Sequence, residues 1–264
     1  MTQPREFVHL RVEGALAFLE IDRPPVNAYN WQTHREISES LRDLEDLMDL
    51  RCVILSAVGV AEGRPFGAGS DVNEFVGLDP VTSLHRARNM RRYFASMSAF
   101  PVPIVAAVEN VTIGSGFAWT ARADIRVISR SVELGMPEIK VGALGGGWEL
   151  TRLVGPGKAR EMYYTGERIP AEEAFRLGYG EYLVEPGQAF EKAVDVARSI
   201  AKNNAFALRL AKEQMNFAEI PITRDDAYKY ETELTAIYRG TSAASDSAQA
   251  FVTRSGRRAA DASR

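Results

Sequence analysis

Hydrophobic positions along the first half of the chain alternate between strand-like and helix-like spacing. Phe7 to Val12 and Ala15 to Ile21 are short apolar-rich runs on either side of Glu13-Gly14, which predicts two strands joined as a hairpin. Arg23-Pro24-Pro25-Val26-Asn27 breaks the pattern. Asn30 has the character of an N-cap, and Ile37, Leu41, Leu44 and Met48 recur at helical spacing, so a helix is expected as far as Leu50. Val53 to Ala57, Pro103 to Val108 and Ile125 to Ser129 are short and mostly apolar, the composition of strands buried on both faces of a parallel sheet. Between them, Arg64 to Gly69 reads as a loop and Asp71 to Phe100 as mostly helix, interrupted near Asp79-Pro80. Gly114 to Ala121 reads as a helix start. Strand, helix and strand repeat in this order, an α/β pattern.

Beyond residue 147 the spacing becomes helical. Glu149 to Val154, Lys158 to Thr165, Ala171 to Leu177, Ala189 to Asn203, Ala205 to Phe217 and Asp225 to Tyr238 all predict helices, and strand signal is confined to Glu181 to Val184. A helical C-terminal part on an α/β core is the simplest organisation, with Ser, Ala and Arg enriched after Ala243.

Composition narrows the function classes. A chain of 264 residues suits one domain with an appendage, and a hydrophobic share of 45% is ordinary for a globular protein. The net charge of −3 gives no basic field to attract nucleic acid. The longest apolar runs, such as Val102 to Val108, are too short to span a bilayer, and Met1 to Glu6 lacks the pattern of a signal peptide. The single cysteine, Cys52, lies in a strand-like run and is expected to be a buried small hydrophobe. These features fit a cytoplasmic protein without nucleic-acid or membrane partners.

Two small-residue turns stand out, Arg64-Pro65-Phe66-Gly67-Ala68-Gly69-Ser70-Asp71-Val72 and Ile113-Gly114-Ser115-Gly116-Phe117-Ala118. Backbone N–H groups at a helix mouth lack intrahelical partners and can point at an anion. Two of them converging would form an oxyanion hole, which stabilises negative charge developing on a carbonyl oxygen. Rival motifs fail. Gly114-x-Gly116 lacks the third glycine of a dinucleotide fingerprint, and Gly155-Pro156-Gly157-Lys158-Ala159 lacks the spacing and the Ser/Thr of a phosphate loop. No Gly-x-Ser-x-Gly elbow surrounds Ser70 or Ser115. His9, His34 and His85 are isolated, have no metal-ligand spacing, and are expected as surface or helix residues; nothing sets one beside either serine. No metal site is expected.

The ordered segments resemble the enoyl-CoA hydratase/isomerase (crotonase) superfamily. Ile21 to Ala28 is similar to its opening "NRPxxxNA", Phe66 to Val72 to "FxAGxDL", and Pro103 to Asn110 to "PxIAAVNG". Ile113 to Ala118 stands in the place of "LGGGxE", Leu134 to Gly142 in that of "FGxPEixlG", and Leu153 to Ala159 with Tyr164 to Gly166 continues the match. The resemblance implies a spiral core of ββα units over residues 1–200 with a C-terminal helical trimerisation region over 201–264, assembled as a homotrimer or homohexamer. It implies a substrate held as a coenzyme A thioester, with no other cofactor. The backbone amides of Ser70 and Ser115 fall at the two oxyanion positions, their side chains being incidental to that role. Val26, Ala28, Ala68, Gly69, Asp71 and Val72 fall on segments that line the CoA moiety. Phe251-x-x-Arg254, with Arg257 and Arg258, is similar to a tail whose cations reach the CoA phosphates, although a solvated basic tail reads equally well.

Glu138 occupies the family's second glutamate position within an apolar stretch, where burial would raise its pKa toward the range useful for proton transfer. The alternative is an exposed turn glutamate paired with Lys140. The family's first glutamate falls on Ala118, which carries no proton. Hydration wants two groups; moving a double bond from the 3,4 to the 2,3 position needs one. The expected reaction is therefore isomerisation with Glu138 as sole acid/base. Hydration, decarboxylation, C–C cleavage and non-catalytic acyl-CoA binding are the alternatives. Asp71, Glu149 and Tyr93 are weaker candidates for a second group, Asp71 as a helix cap and Glu149 as a helix start, and Trp148-Glu149 stands where the family usually has small residues.

Overall fold

In the computed structural model, which describes residues 5–219, 223–246, 248, 249 and 253, the buried runs form two sheets. The larger, in the order β1-β2-β3-β5-β7-β10, contains β1 (Val8–Glu13), β2 (Leu16–Ile21), β3 (Cys52–Ala57), β5 (Ile104–Val108), β7 (Ile125–Ser129) and β10 (Tyr182–Val184). Only the β1–β2 hairpin is antiparallel. The smaller, in the order β4-β6-β8-β9, contains β4 (Gly67–Ala68), β6 (Val111–Ile113), β8 (Glu133–Gly135) and β9 (Arg168–Pro170). Each turn of the chain adds one strand to each sheet and then a helix: β3 and β4 precede α2 (Pro80–Ser98), β5 and β6 precede α3 (Ser115–Thr120), and β7 and β8 precede α4 (Gly147–Val154). This is the expected ββα spiral.

Period-two alternation decides which residues meet which layer. On β2, β3 and β5 the side chains of Leu19, Val53, Leu55, Ile104 and Ala106 enter the main core with Ile37 and Leu41 of α1 (Trp31–Glu45). Phe18, Cys52, Ile54 and Val105 point the other way, against Ala189, Ala193 and Ala197 of α7 (Ala189–Ile200). Every residue of β3 is buried, as its composition predicts, and the Cys52 thiol is buried with them. Two further helices, α5 (Pro156–Thr165) and α6 (Ala171–Leu177), complete this unit, which ends at Lys202.

A second unit begins at Asn203. Within it α8 (Ala205–Ala218) starts at the Asn204 cap and α9 (Arg224–Arg239) at the Thr223 cap, and the rings of Phe217 and Tyr230 pack with centroids 4.2 Å apart.

The structure departs from the sequence expectations in two local ways. Helix α1 stops at Glu45 rather than Leu50, leaving Met48 exposed. Glu45, Asp46 and Asp49 put negative charge at a helix C-terminus, where the macrodipole disfavours it. The strands of the smaller sheet, two or three residues each, were not expected; β9 even carries Pro170, which an edge strand tolerates. Among the described residues no helix is long and apolar enough to cross a membrane.

Candidate active site

Register in the smaller sheet brings the chemistry together. Ala68 on β4 pairs in parallel with Ile113 on β6, and Ile113 pairs in parallel with Gly135 on β8. Three chain segments thus leave adjacent strands at the same end, carrying Ser70, Ser115 and Glu138 two or three residues later. Ser70 forms a bridge with Tyr29: the Tyr29 amide donates to Gly69 O and the Asp71 amide donates to Tyr29 O, both at 2.8 Å. That pattern leaves the Ser70 amide out of the pairing. Ser115 opens α3, where first-turn amides have no intrahelical acceptor. Among the described residues neither of these two amides donates a hydrogen bond. The hydroxyl oxygens of Ser70 and Ser115 lie 2.6 Å apart.

Close backbone approach makes this junction possible. A Cβ on Gly67 would lie 2.8 Å from Gly116 Cα and 2.6 Å from Tyr29 Cε2. Gly114 has φ 53° and ψ −117°, and a Cβ there would lie 3.0 Å from both Gly69 Cα and Glu138 Oε1. The Glu138 carboxyl therefore sits against the same glycine that introduces Ser115.

Glu138 begins a one-turn 3-10 helix, Glu138–Val141, ended by left-handed Gly142. Burial pushes its pKa up to about 7, partly offset by its own backbone N–H. Its Oε2 is buried without a hydrogen-bond partner among the described residues. The alternative pairing with Lys140 does not form, because Lys140 Nζ donates instead to Glu167 at 2.9 Å.

One site residue escaped the sequence reading. His34 is buried rather than peripheral, and its Nε2 lies 3.4 Å from Ser115 Oγ. Its Nδ1 accepts from Trp119 Nε1 at 3.0 Å, and the rings of Tyr29, Phe94 and Trp119 surround it. Burial pushes its pKa down to about 3. A signal was present: His34 shares the i, i+3, i+7 stripe of Ile37 and Leu41, so its ring had to face the core.

The sequence matches the enoyl-CoA hydratase/isomerase family over residues 11–257. The chain belongs to this family. It is 29% identical over 249 residues to the short-chain-enoyl-CoA hydratase of Clostridium acetobutylicum, covering 93% of this chain and 94% of that protein. It is 30% identical over 244 residues to the (7aS)-7a-methyl-1,5-dioxo-2,3,5,6,7,7a-hexahydro-1H-indene-carboxyl-CoA hydrolase of Mycobacterium tuberculosis, covering 92% and 97%. The crystal structure of an enoyl-CoA hydratase subunit from Geobacillus kaustophilus superposes with TM-score 0.86 at 29% identity, covering 94% and 96%.

Ala118 of this family member is buried on α3. Glu149, in the first turn of α4, is ion-paired with Arg122, whose Nη1 also donates to Ala118 O. Tyr93 packs edge-on against Trp31, and Trp148 is exposed beside Arg152. Asp71 caps the 3-10 turn Val72–Phe75 and pairs with Arg23 Nη2 at 2.7 Å. Arg23 Nη1 donates to Ala28 O, also at 2.7 Å, so the Ala28 and Asp71 segments are clipped together. Val26 and Val72 are exposed, Ala28 and Ala68 half-buried, and Gly69 buried. Arg254, with Phe251, Arg257 and Arg258, lies outside the described residues. Among the described residues no group of three His, Cys, Asp or Glu side chains is placed to hold a metal ion.

Proposed function

We propose that this enzyme moves the double bond of a 3-enoyl-CoA to the 2,3 position through a thioester enolate. The observation that carries the reading is a carboxyl of raised pKa whose Oε2 has no partner among the described residues, lying against the glycine at which the two turns meet. The Ser70 and Ser115 amides would bind the thioester oxygen. Glu138 takes the proton from C2, the C–H electrons pass to that oxygen, and the enolate collapses as the same carboxyl returns a proton to C4. Each oxyanion donor is worth about 3 kcal/mol of barrier. The other carboxylates near α3 are occupied: Glu149 by Arg122 and Asp71 by Arg23. Val26, Ala28, Ala68, Gly69, Asp71 and Val72 would line the CoA moiety, and Arg254 would reach its phosphates. Residues 201–264 would supply the trimer contact, which sedimentation of the full chain tests.

A second reading, addition of water to a 2-enoyl-CoA, is favoured by the hydratase name of the Clostridium relative. It needs a second proton carrier in place of Ala118. Purified enzyme supplied with 3-enoyl-CoA should form the conjugated 2-enoyl thioester, seen as a gain in ultraviolet absorbance, and Glu138→Gln should abolish it. Conversion of 2-enoyl-CoA to 3-hydroxyacyl-CoA, with 3-enoyl-CoA untouched, would replace isomerisation with hydration.

A further inference from the structure

We infer that the Ser70 hydroxyl is a third donor to the thioester oxygen, aimed by a one-way hydrogen-bond chain running from Trp119 through His34 and Ser115. The inference rests on the proposed enolate reading and extends it to side chains.

The direction of the chain follows from donor and acceptor inventory. An indole N–H can only donate. Trp119 Nε1 therefore makes His34 Nδ1 an acceptor, at 3.0 Å. A neutral imidazole then carries its proton on Nε2, and burial in an aromatic cage keeps His34 neutral. Nε2–H faces Ser115 Oγ at 3.4 Å and donates to it. Ser115 is buried, and its side chain has two polar neighbours among the described residues, His34 Nε2 and Ser70 Oγ. The first is already a donor. The Ser115 hydroxyl hydrogen consequently goes to Ser70 Oγ, 2.6 Å away. Ser70 accepts it, which leaves its own hydrogen as the free end of the chain. Ser70 is half-buried, at the exit of β4 beside Gly69 and Gly114. No hydrogen bond joins its hydroxyl to Glu138 among the described residues.

The free donor thus sits on Ser70, whose own amide is unpartnered among the described residues and whose hydroxyl meets that of Ser115, the residue carrying the other unpartnered amide. Chained hydrogen bonds polarise one another, so each upstream donor strengthens the last one. In this arrangement Ser70 is a catalytic residue, whereas Ser115, through its side chain, and His34 are positioning residues.

The test compares the parent with Ser70→Ala, Ser115→Ala, the double variant, His34→Leu and His34→Gln. Turnover of 3-enoyl-CoA is one readout. The near-ultraviolet band of bound acetoacetyl-CoA enolate is another, since it reports charge on the substrate oxygen without turnover. Ser70→Ala should lower kcat and the enolate fraction by roughly a hundredfold or more. Ser115→Ala and His34→Leu should follow it, and the double variant should be no worse than Ser70→Ala, because the groups act in series. His34→Gln, whose amide can accept from Trp119 and donate to Ser115, should stay near the parent. The Kd for free coenzyme A, which has no thioester oxygen, should remain within about twofold throughout, reporting an intact fold. Equal enolate bands in parent and Ser70→Ala would overturn the inference, as would additive losses from the two serines. A parent that forms the enolate yet isomerises nothing would remove the proposed reaction and leave the relay standing.

Discussion

Glu138 and Gly114 share one small volume. A Cβ on Gly114 would come within 3.0 Å of Glu138 Oε1 and equally close to Gly69 Cα. The carboxyl that would move protons and the backbone that presents the Ser115 amide are therefore adjacent because one side chain is missing. The φ of 53° at Gly114 adds a conformational reason for glycine there. Gly114→Ala should destabilise the fold by about 1–3 kcal/mol and separate the two turns. Chemical denaturation measures the first effect. Loss of the acetoacetyl-CoA enolate band measures the second, and an alanine variant with parental stability and parental band would refute the packing argument.

Glu138 should set the pH dependence. Its pKa of about 7 in the free protein means that kcat/KM rises with pH through that value and levels off above it, the ionised carboxyl being the form that takes the C2 proton. Stability runs the other way. The folded-state pKa is raised, so the folded protein favours the protonated carboxyl, and that advantage is complete below about 4.5 and lost as pH climbs through about 7. Glu138→Gln should therefore be inactive, and above pH 7 more stable than the parent by on the order of 2 kcal/mol, solvent screening included. The difference between the two proteins in urea melts at low and high pH checks the sign.

His34 should make the protein acid-labile. Its folded-state pKa is depressed to about 3 from the ordinary 6.5, so its contribution is complete above about 6.5 and lost as pH falls toward 3. His34→Gln should flatten the decline in stability across that window by several kcal/mol, at about 1.4 kcal/mol per pH unit. Parallel acid titrations of the two proteins, followed by tryptophan fluorescence, test this; superimposable curves would contradict it.

Arg23 should matter to binding more than to chemistry. Burial works to raise the Asp71 pKa, yet hydrogen bonds from Arg23 and Asn73 outweigh it and hold the carboxyl below its usual range. Arg23→Met removes the clip between the Ala28 and Asp71 segments. The Kd for CoA thioesters should rise about tenfold, equivalent to about 1.4 kcal/mol, while kcat at saturation stays within about twofold. Calorimetry and initial rates separate the two quantities; an unchanged Kd would show that these segments do not hold the carrier.

Much of the architecture is legible in the sequence. The apolar run of β3, the Asn30 cap and the break at Asp79-Pro80 are local features, and each appears where expected. The two small-residue turns were visible too, as was a glutamate among apolar neighbours. The strands of the smaller sheet were not, because two or three residues carry no measurable period. Those strands set the register that places residues 68, 113 and 135 side by side.

Binary patterning and turn chemistry act over a few residues, so the linear chain alone specified the α/β alternation, the caps, the glycine turns and the family motifs. Contacts across tens of residues depend on which layers close on which. Only the folded chain could place His34 against Ser115, aim Glu138 at Gly114 rather than Lys140, and occupy Glu149 with Arg122. Long-range burial decided those partners, because an ionisable or polar group removed from water takes whatever complement the packing brings within reach.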